Sequence, residues 1–188
     1  MAAFGAKYIN FAPIKSESDT GKPTYDTAIN LGELVKAELT ISLASGEIYG
    51  DDRLVEKIEE FSSGSISVEV VDLTDEKEAK LFGSTYETGS ELIDKTSDTV
   101  PYGGLGYFKS MIRNGKKYYK SYFYPKVKAA PGTDSANTKS SSITLSPTPL
   151  TFTVLEPNDG DWRYRKTFET EAEAKTWIDS KFKGNAGS

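Results

Sequence analysis

The chain has 188 residues, a net charge of −5 and neither His nor Cys, which excludes disulfides, thiolate nucleophiles and imidazole acid–base or zinc chemistry. We therefore expect a non-enzymatic protein with no cofactor and no bound metal, and the enzymatic alternative is a hydrolase built from carboxylates alone. No apolar run is long enough for a signal peptide or a membrane span, so we expect a single domain over residues 1–188 that does not contact membranes.

The first third of the chain combines a polar segment with alternating segments. Residues 1–30 are rich in Ser, Thr, Asp, Gly and Pro and predict an N-terminal arm or long loop. Residues 34–44 alternate apolar and polar side chains, which predicts a half-buried strand. "SGEIYGDD" and "SSGS" supply turn residues, and residues 53–61 between them fit either a short strand or a helix. Residues 65–73 alternate again and predict a strand.

The next segment holds a short helix and a long loop. Thr74 or Asp75 caps a helix that ends at Gly83, since acidic residues fill its first turn and glycine accepts the left-handed conformation. Residues 84–104 show little periodicity. Loops of this length inside a compact domain are uncommon without a function, so we expect this segment to serve in assembly.

Residues 105–124 predict a β-hairpin, because Asn114-Gly115 suits a two-residue type I′ turn. That turn sets Lys109 opposite Lys120 and Tyr107 opposite Tyr122. One face of the hairpin is then apolar enough for a core, and the other is rich in Tyr and Lys. Like charges directly opposed are destabilising, so the second face requires anions: phosphates, acidic side chains of this chain, or those of a neighbour.

The remaining elements are a polar loop, two strands and a helix. Residues 129–142 predict the loop, and residues 149–157 and 162–168 predict the strands. Residues 170–184 predict a helix that opens with a Thr170–Glu173 capping box. The sum is a mainly β chain with flanking helices (α+β), arranged as a β-sandwich or open barrel with long loops.

Charge is distributed unevenly along the chain. Residues 1–100 carry 20 acidic and 9 basic residues, and residues 101–188 carry 8 acidic and 14 basic residues. The asymmetry either disappears when the two halves intermix in one domain or indicates association between an acidic patch of one copy and a basic patch of the next.

Four segments together carry a resemblance to a known family. They are "AAFGAKYINFAPI", "LGELVKAELTISLASGEIYGDDRLVEKIEEFSSGSISVEVVDLTDEKEAKLFG", "TVPYGGLGYFKSMIRNGKKYYKSYFYPKVK" and "TFTVLEPNDGDWRYRKTFETEAEAKTWIDSKF". In their order and wording they resemble the major tail proteins of long non-contractile-tailed phages, the subunits of the tail tube. The resemblance covers most of the chain and brings no catalytic residues.

The resemblance implies a β-sandwich of the tail tube type whose subunits form stacked hexameric rings around a hollow lumen. Double-stranded DNA passes through that lumen into the host without specific binding. The implied partners are further copies of the chain, the tape measure protein, the tail terminator and the distal tail protein. The implied location is the phage tail in the virion, and the host cytoplasm during assembly.

Two sets of residues are candidates for these contacts. The first set is a subunit interface: Lys109, Arg113, Lys116, Lys120, Tyr118, Tyr122, Glu91 and Asp94. The second set lies on polar strand faces and would line the lumen: Glu38, Thr40, Ser42, Ser67 and Glu69. The alternative to a structural subunit is a nucleic-acid-binding β-domain that uses the Lys- and Tyr-rich face of the 105–124 hairpin.

Overall fold

The computed structural model describes residues 2–51, 53–87, 91–130 and 147–183, which hold eleven strands and two helices. The strands are β1 (Ala2–Ser16), β2 (Thr24–Tyr25), β3 (Ile29–Gly32), β4 (Leu34–Gly50), β5 (Arg53–Val70), β6 (Thr85–Tyr86), β7 (Leu92–Ile93), β8 (Tyr102–Arg113), β9 (Lys116–Ala130), β10 (Thr148–Val154) and β11 (Tyr164–Phe168); the helices are α1 (Asp75–Phe82) and α2 (Glu171–Phe182). The predicted class, mainly β with two helices, is confirmed. Within these residues no helix is long and apolar enough to cross a membrane.

One antiparallel sheet dominates the described part of the chain. Its strand order is β2-β1-β8-β9-β10-β5-β4, with β3 also on β1 and β11 also on β9, while β6 and β7 pair separately. Only Glu33 separates β3 from β4, so the chain that borders β1 goes on to border β5. Gly32 makes this corner at φ +125°, where a Cβ would lie 2.7 Å from the Asp72 carbonyl oxygen. The corner turns the sheet back on itself.

Two apolar clusters stabilise this arrangement. The main core lies between the two halves of the curled sheet, and its largest fully buried side chains include Phe11, Ile66, Tyr107, Tyr124 and Phe152. The second cluster lies on the opposite face of β8 and β9, where α2 packs. β8 and β9 are therefore covered on both faces, whereas the sequence predicted one buried face and one Tyr- and Lys-rich face. The difference arises because the inner part of that second face also enters the core.

Helix α2 begins and packs as its sequence predicts. Thr170 accepts a hydrogen bond from the Glu173 backbone N–H, and the Glu173 side chain accepts one from the Thr170 N–H, which completes the capping box. Ala174, Ile178 and Phe182 are buried against the sheet, while Trp177 is only partly buried. The predicted end at Gly184 lies outside the described residues. Helix α1 likewise ends at Gly83 with φ 78°, although the Thr74 side chain makes no capping hydrogen bond.

The prediction of an N-terminal arm or long loop over residues 1–30 is wrong for most of that range. β1 pairs with β8 over most of its length, and it buries Ile9 and Phe11 in the core. Its register shifts twice, and Gly5 and Tyr8 have positive φ angles. Each bulge reverses which side chains face inward. The apolar residues therefore do not alternate, and the strand was missed.

Residues 34–70 form one long hairpin, whereas the sequence predicted strands broken by turns. β4 continues through Gly50 and β5 runs from Arg53, so the 53–61 segment is a strand and "SSGS" lies inside β5. The register shifts at Ser42/Leu43 and again at Ile48/Tyr49. The first of these bulges skips Ser62 and accounts for the turn-like composition of "SSGS", because a bulge favours the same small polar residues as a turn.

The two predicted long loops are both shortened by strands. Segment 84–104 contains β6 and β7, and its last residues belong to β8. Its Thr99 carbonyl lies against Gly83, where a Cβ would approach to 2.5 Å. Of the predicted loop at 129–142, residues 129 and 130 lie in β9 and the rest lies outside the described residues.

Candidate interaction surfaces

The outer half of the β4–β5 hairpin, residues 41–60, is named here the outer arm. Every side chain of the arm that the structure describes is exposed. Val55 and Tyr49 are 68% and 65% exposed. The other large apolar side chains on the arm are Ile41, Leu43, Ile48, Leu54 and Ile58. An isolated two-stranded hairpin is marginally stable in water, so this surface is suited to contact with another chain.

The base of the arm is anchored by an aromatic stack. The rings of Phe61 and Trp162 lie parallel, with centroids 4.0 Å apart and an interplanar angle of 4°. The Arg163 guanidinium also contacts Trp162, at 4.4 Å from the centroid of its ring. The anchor fixes the arm to the loop before β11, and beyond it no described side chain of the arm is buried.

The register divides the arm into two faces. One face carries Ile48, Ile58, Glu56 and Glu60, since Ile48 lies opposite Glu56 and the neighbouring pairs alternate. The other face carries Lys57, which pairs with Glu59 at 2.6 Å, and Tyr49, whose hydroxyl donates to Glu47 at 2.8 Å. The arm holds six acidic and two basic residues in all, and it is therefore both acidic and apolar.

The 105–124 hairpin has the predicted register. Arg113 lies opposite Lys116, Met111 opposite Tyr118, and Lys109 opposite Lys120. β11 adds to this surface, because Arg165 lies opposite Tyr122 and shares its face. We name this surface the basic face; it consists of Lys109, Met111, Arg113, Lys116, Tyr118, Lys120, Tyr122 and Arg165.

The inner end of the basic face turns its charge toward β4. Lys109 is partly buried, and its Nζ donates a 3.0 Å hydrogen bond to the Ala37 carbonyl oxygen. Burial lowers the pKa of Lys109, and the nearby Glu38 carboxylate acts against that shift. The charge repulsion between Lys109 and Lys120 is thus reduced in part by groups of the same chain. The sequence analysis had left open which groups compensate these charges.

The outer end of the basic face is open to solvent. Lys116 and Arg165 are exposed, and Lys120 is half-buried. A hydrogen bond to Glu169, at 3.0 Å, and the charge of that carboxylate raise the pKa of Lys116. Burial raises the pKa of Tyr122, and Arg165 and Arg163 oppose this shift. The centre of the face is therefore aromatic, with cations around it.

The remaining candidate interface residues lie on another element. Glu91 and Asp94 lie next to β7, in the segment that follows α1. Asp94 accepts a 2.6 Å hydrogen bond from the Ser84 hydroxyl, and the Glu91 carbonyl accepts one from the Glu87 N–H at 3.4 Å. Both side chains are exposed. The pairing with β6 gives this segment a local order that its sequence did not predict.

The five candidate lumen residues share one face of the β4–β5 hairpin. Glu38 lies opposite Ser67, and Thr40 and Ser42 follow on the same face. Glu69 is half-buried, and the other four side chains are exposed. Lys36 pairs with Glu38 at 2.7 Å, and its hydrogen bond and charge lower the pKa of Glu38. This polar face points away from the core.

Sequence reasoning missed the two features that define these surfaces. The sequence analysis divided the outer arm into separate pieces, although the chain reverses between β4 and β5, where Asp51 has φ 49°. Arg165 was assigned to a strand, but its neighbour in the sheet was unknown. Alternation across an Asp-rich turn is the signal that predicts the arm, whereas nothing local predicts that β11 borders β9.

Comparison with protein-family models and with curated proteins gave no match. Within the part of the chain that the structure describes, no group of three or more acidic side chains is placed to hold a metal ion. The functional conclusion therefore depends on the two surfaces and on the sequence resemblance.

Proposed function

We propose that this protein is a structural subunit that assembles with its own copies, in the manner of a phage tail tube protein. The observation that carries the proposal is the outer arm. It exposes seven large apolar side chains on a hairpin that no other described element covers. Contiguous exposed apolar surface on a folded protein marks an interaction site, and a long unpaired edge strand such as β4 is a template for another chain.

The charge distribution supports association between unlike surfaces. The acidic outer arm belongs to the first 100 residues, and the basic face belongs to the remainder, which carries the excess of Lys and Arg. Contact between two different surfaces is head-to-tail, and it generates closed rings or open filaments instead of simple dimers. A tube of stacked rings combines the two, because each ring is closed and the stack of rings is an open filament.

The finer form of the proposal follows the resemblance. Six copies form a ring, rings stack into a tube, and the polar face with Glu38 and Glu69 lines the lumen. Its carboxylates repel phosphates and let double-stranded DNA pass without binding. The tape measure protein, the tail terminator and the distal tail protein are the proposed partners in the virion. The protein acts without catalysis or cofactor.

Electron microscopy of the purified, concentrated protein tests the proposal. We expect rings or tubes of uniform width, and sedimentation velocity should show large species that increase with concentration. The double variant Ile48→Ser/Ile58→Ser should keep the thermal unfolding midpoint of the unmodified protein, because both side chains are already exposed, and it should fail to assemble.

The matched control is Thr20→Ala/Thr27→Ala, which changes two exposed side chains outside the outer arm, the basic face and the candidate lumen residues. This variant should assemble. A protein that stays monomeric at every concentration would rule out the proposal. Assembly by the Ile48→Ser/Ile58→Ser variant at the normal concentration would remove the arm as its basis.

A further inference from the structure

The outer arm and the basic face are complementary in charge. The arm carries six acidic residues against two basic ones. The basic face carries five Lys and Arg side chains, of which Lys116 already pairs with Glu169. Surfaces of opposite charge attract and orient each other during association. The charge of the arm therefore suits the basic face.

The two surfaces also match in their apolar parts. Ile48 and Ile58 are 58% and 50% exposed, and Glu56 and Glu60 lie beside them on the same face of the arm. On the basic face, the half-buried rings of Tyr118 and Tyr122 lie among Lys120, Arg165 and Lys116. Interfaces commonly have an apolar, aromatic centre and a charged rim. Each surface has that pattern, with the opposite sign of charge at its rim.

The arm does not cover the basic face of its own subunit. Its base is held by the Phe61–Trp162 stack, and beyond the stack every described side chain is exposed. A face-to-face contact within one subunit would bury Ile48 and Ile58. An arm that binds the basic face therefore belongs to another copy of the chain.

We infer that the outer arm of one copy binds the basic face of the next copy, with Ile48 and Ile58 against Tyr118 and Tyr122, and Glu56 and Glu60 toward Lys120 and Arg165. The inference rests on the proposed self-assembly and adds to it the two surfaces that meet. The contact joins unlike surfaces, so each copy offers one free arm and one free face until a ring closes. Phosphates of a nucleic acid are the competing occupant of the same face.

A charge exchange between two separate variants tests the contact. Glu56→Lys/Glu60→Lys makes the part of the arm that would meet the basic face positive and leaves the face unchanged. Lys120→Glu/Arg165→Glu makes the part of the face that would meet the arm negative and leaves the arm unchanged. Each variant alone should require at least roughly tenfold more protein to associate than the unmodified chain. An equal mixture should associate again near the normal concentration, because each arm then meets a face of opposite charge.

Sedimentation velocity measures association, and thermal unfolding checks that each variant is folded. Asp19→Lys/Glu156→Lys is the matched control: it adds the same positive charge as the arm variant at two exposed positions outside both surfaces, and it should associate normally. Recovery in the mixture but in neither variant alone supports the contact. Failure of the mixture to associate would overturn it.

The remaining outcomes separate the inference from the proposed function. If the unmodified protein assembles and both charge variants assemble equally well, self-assembly stands and the arm-to-face contact is wrong. If the unmodified protein never associates, both are wrong. Fluorescence anisotropy with a double-stranded DNA probe at low salt tests the competing occupant. Loss of DNA binding in Lys120→Glu/Arg165→Glu, with assembly unchanged, would assign the basic face to nucleic acid.

Discussion

The β4–β5 and β8–β9 hairpins have comparable length and apolar content but opposite surroundings. β8 and β9 are bordered by β1, β10 and β11, and the inner parts of both their faces are covered, one by the core and one by α2. Apart from their pairing with each other, β5 meets β10 only along residues 64–70, and β4 borders no further described strand. One hairpin therefore contributes to the core of the fold, and the other leaves its apolar side chains exposed.

This contrast separates two roles that composition alone does not distinguish. Leu105 in β8 is fully buried and contributes to folding because it leaves water when the chain folds. Leu54 in the outer arm is 50% exposed, so the exposed part of its surface would contribute free energy only where another chain covers it. Substitutions in the two hairpins should consequently affect different measurements.

Matched glycine substitutions should give the largest difference between the hairpins. In β8, a Cβ on Gly103 would overlap the Phe11 ring and lie 2.6 Å from the Ala12 carbonyl oxygen, whereas nothing lies within 4 Å of a Cβ on Gly46 in the arm. Gly103→Ala should lower the free energy of unfolding by about 3 kcal/mol, since backbone and ring must both move. Gly46→Ala should change it by less than about 0.5 kcal/mol. Urea denaturation measures both values.

Equal effects of the two alanines on the unfolding free energy would contradict the contrast between a packed and an exposed hairpin. Thermal unfolding of Gly46→Ser supplies a further control for the arm, because it adds a polar side chain at the same open position. It should leave the midpoint nearly unchanged.

Removing the anchor of the arm should have an intermediate effect. Phe61 stacks on Trp162 and is half-buried. Phe61→Ala should lower the free energy of unfolding by about 1–2 kcal/mol, because an aromatic pair contributes roughly 0.5–1.5 kcal/mol beyond its buried area. The emission of Trp162 should also shift toward that of a solvated indole. Phe61→Leu keeps apolar contact without the stack, so it should restore part of the stability. A loss below a few tenths of a kcal/mol would show that the arm is held by other contacts.

The smallest expected effect concerns a charge at the base of the arm. The hydrogen bond from Lys36 lowers the pKa of Glu38. A carboxyl whose pKa is lower in the folded state stabilises the fold above its unfolded pKa, and this contribution is lost as the pH falls through the folded value. Lys36→Met should return the pKa of Glu38 toward its ordinary range. Both side chains are exposed and screened by solvent, so the contribution to the unfolding free energy is small and the change is measured in the titration.

Carbon-detected NMR titration of the Glu38 carboxyl measures this pKa in both proteins. The pKa of Glu76, which Lys80 lowers in the same way on α1, is an internal reference and should not move. An unchanged Glu38 pKa in Lys36→Met would show that another cation holds it low.

Local signals predicted the β8–β9 hairpin and helix α2. The Asn114-Gly115 turn fixes a two-residue loop, and the register of every pair from Tyr107–Tyr122 to Arg113–Lys116 follows from it. The capping box of α2 is equally local, since Thr170 and Glu173 act within one turn. Both features depend on residues that are close in the sequence, so a local sequence pattern is sufficient to predict them.

Longer-range features were not predictable in the same way. The bulges in β1 and β5 shift the alternation that reveals a strand, so residues 2–16 looked irregular and "SSGS" looked like a turn. The basic face requires Arg165 beside Tyr122, a contact between residues that no local pattern connects. The exposure of the arm depends on where β10 ends, which is a property of the assembled sheet.

The two register shifts of the outer arm, at Ser42/Leu43 and Ile48/Tyr49, have a consequence for solubility. A flat, regular ribbon with exposed isoleucines would add strands from any unfolded chain and grow as a fibril. Each bulge bends the ribbon and increases its twist, so only short stretches of the β4 edge offer evenly spaced backbone groups. The carboxylates of Glu56 and Glu60 add repulsion between identical arms. The bulges that obscured the hairpin in the sequence thus also protect it from unspecific pairing with other chains.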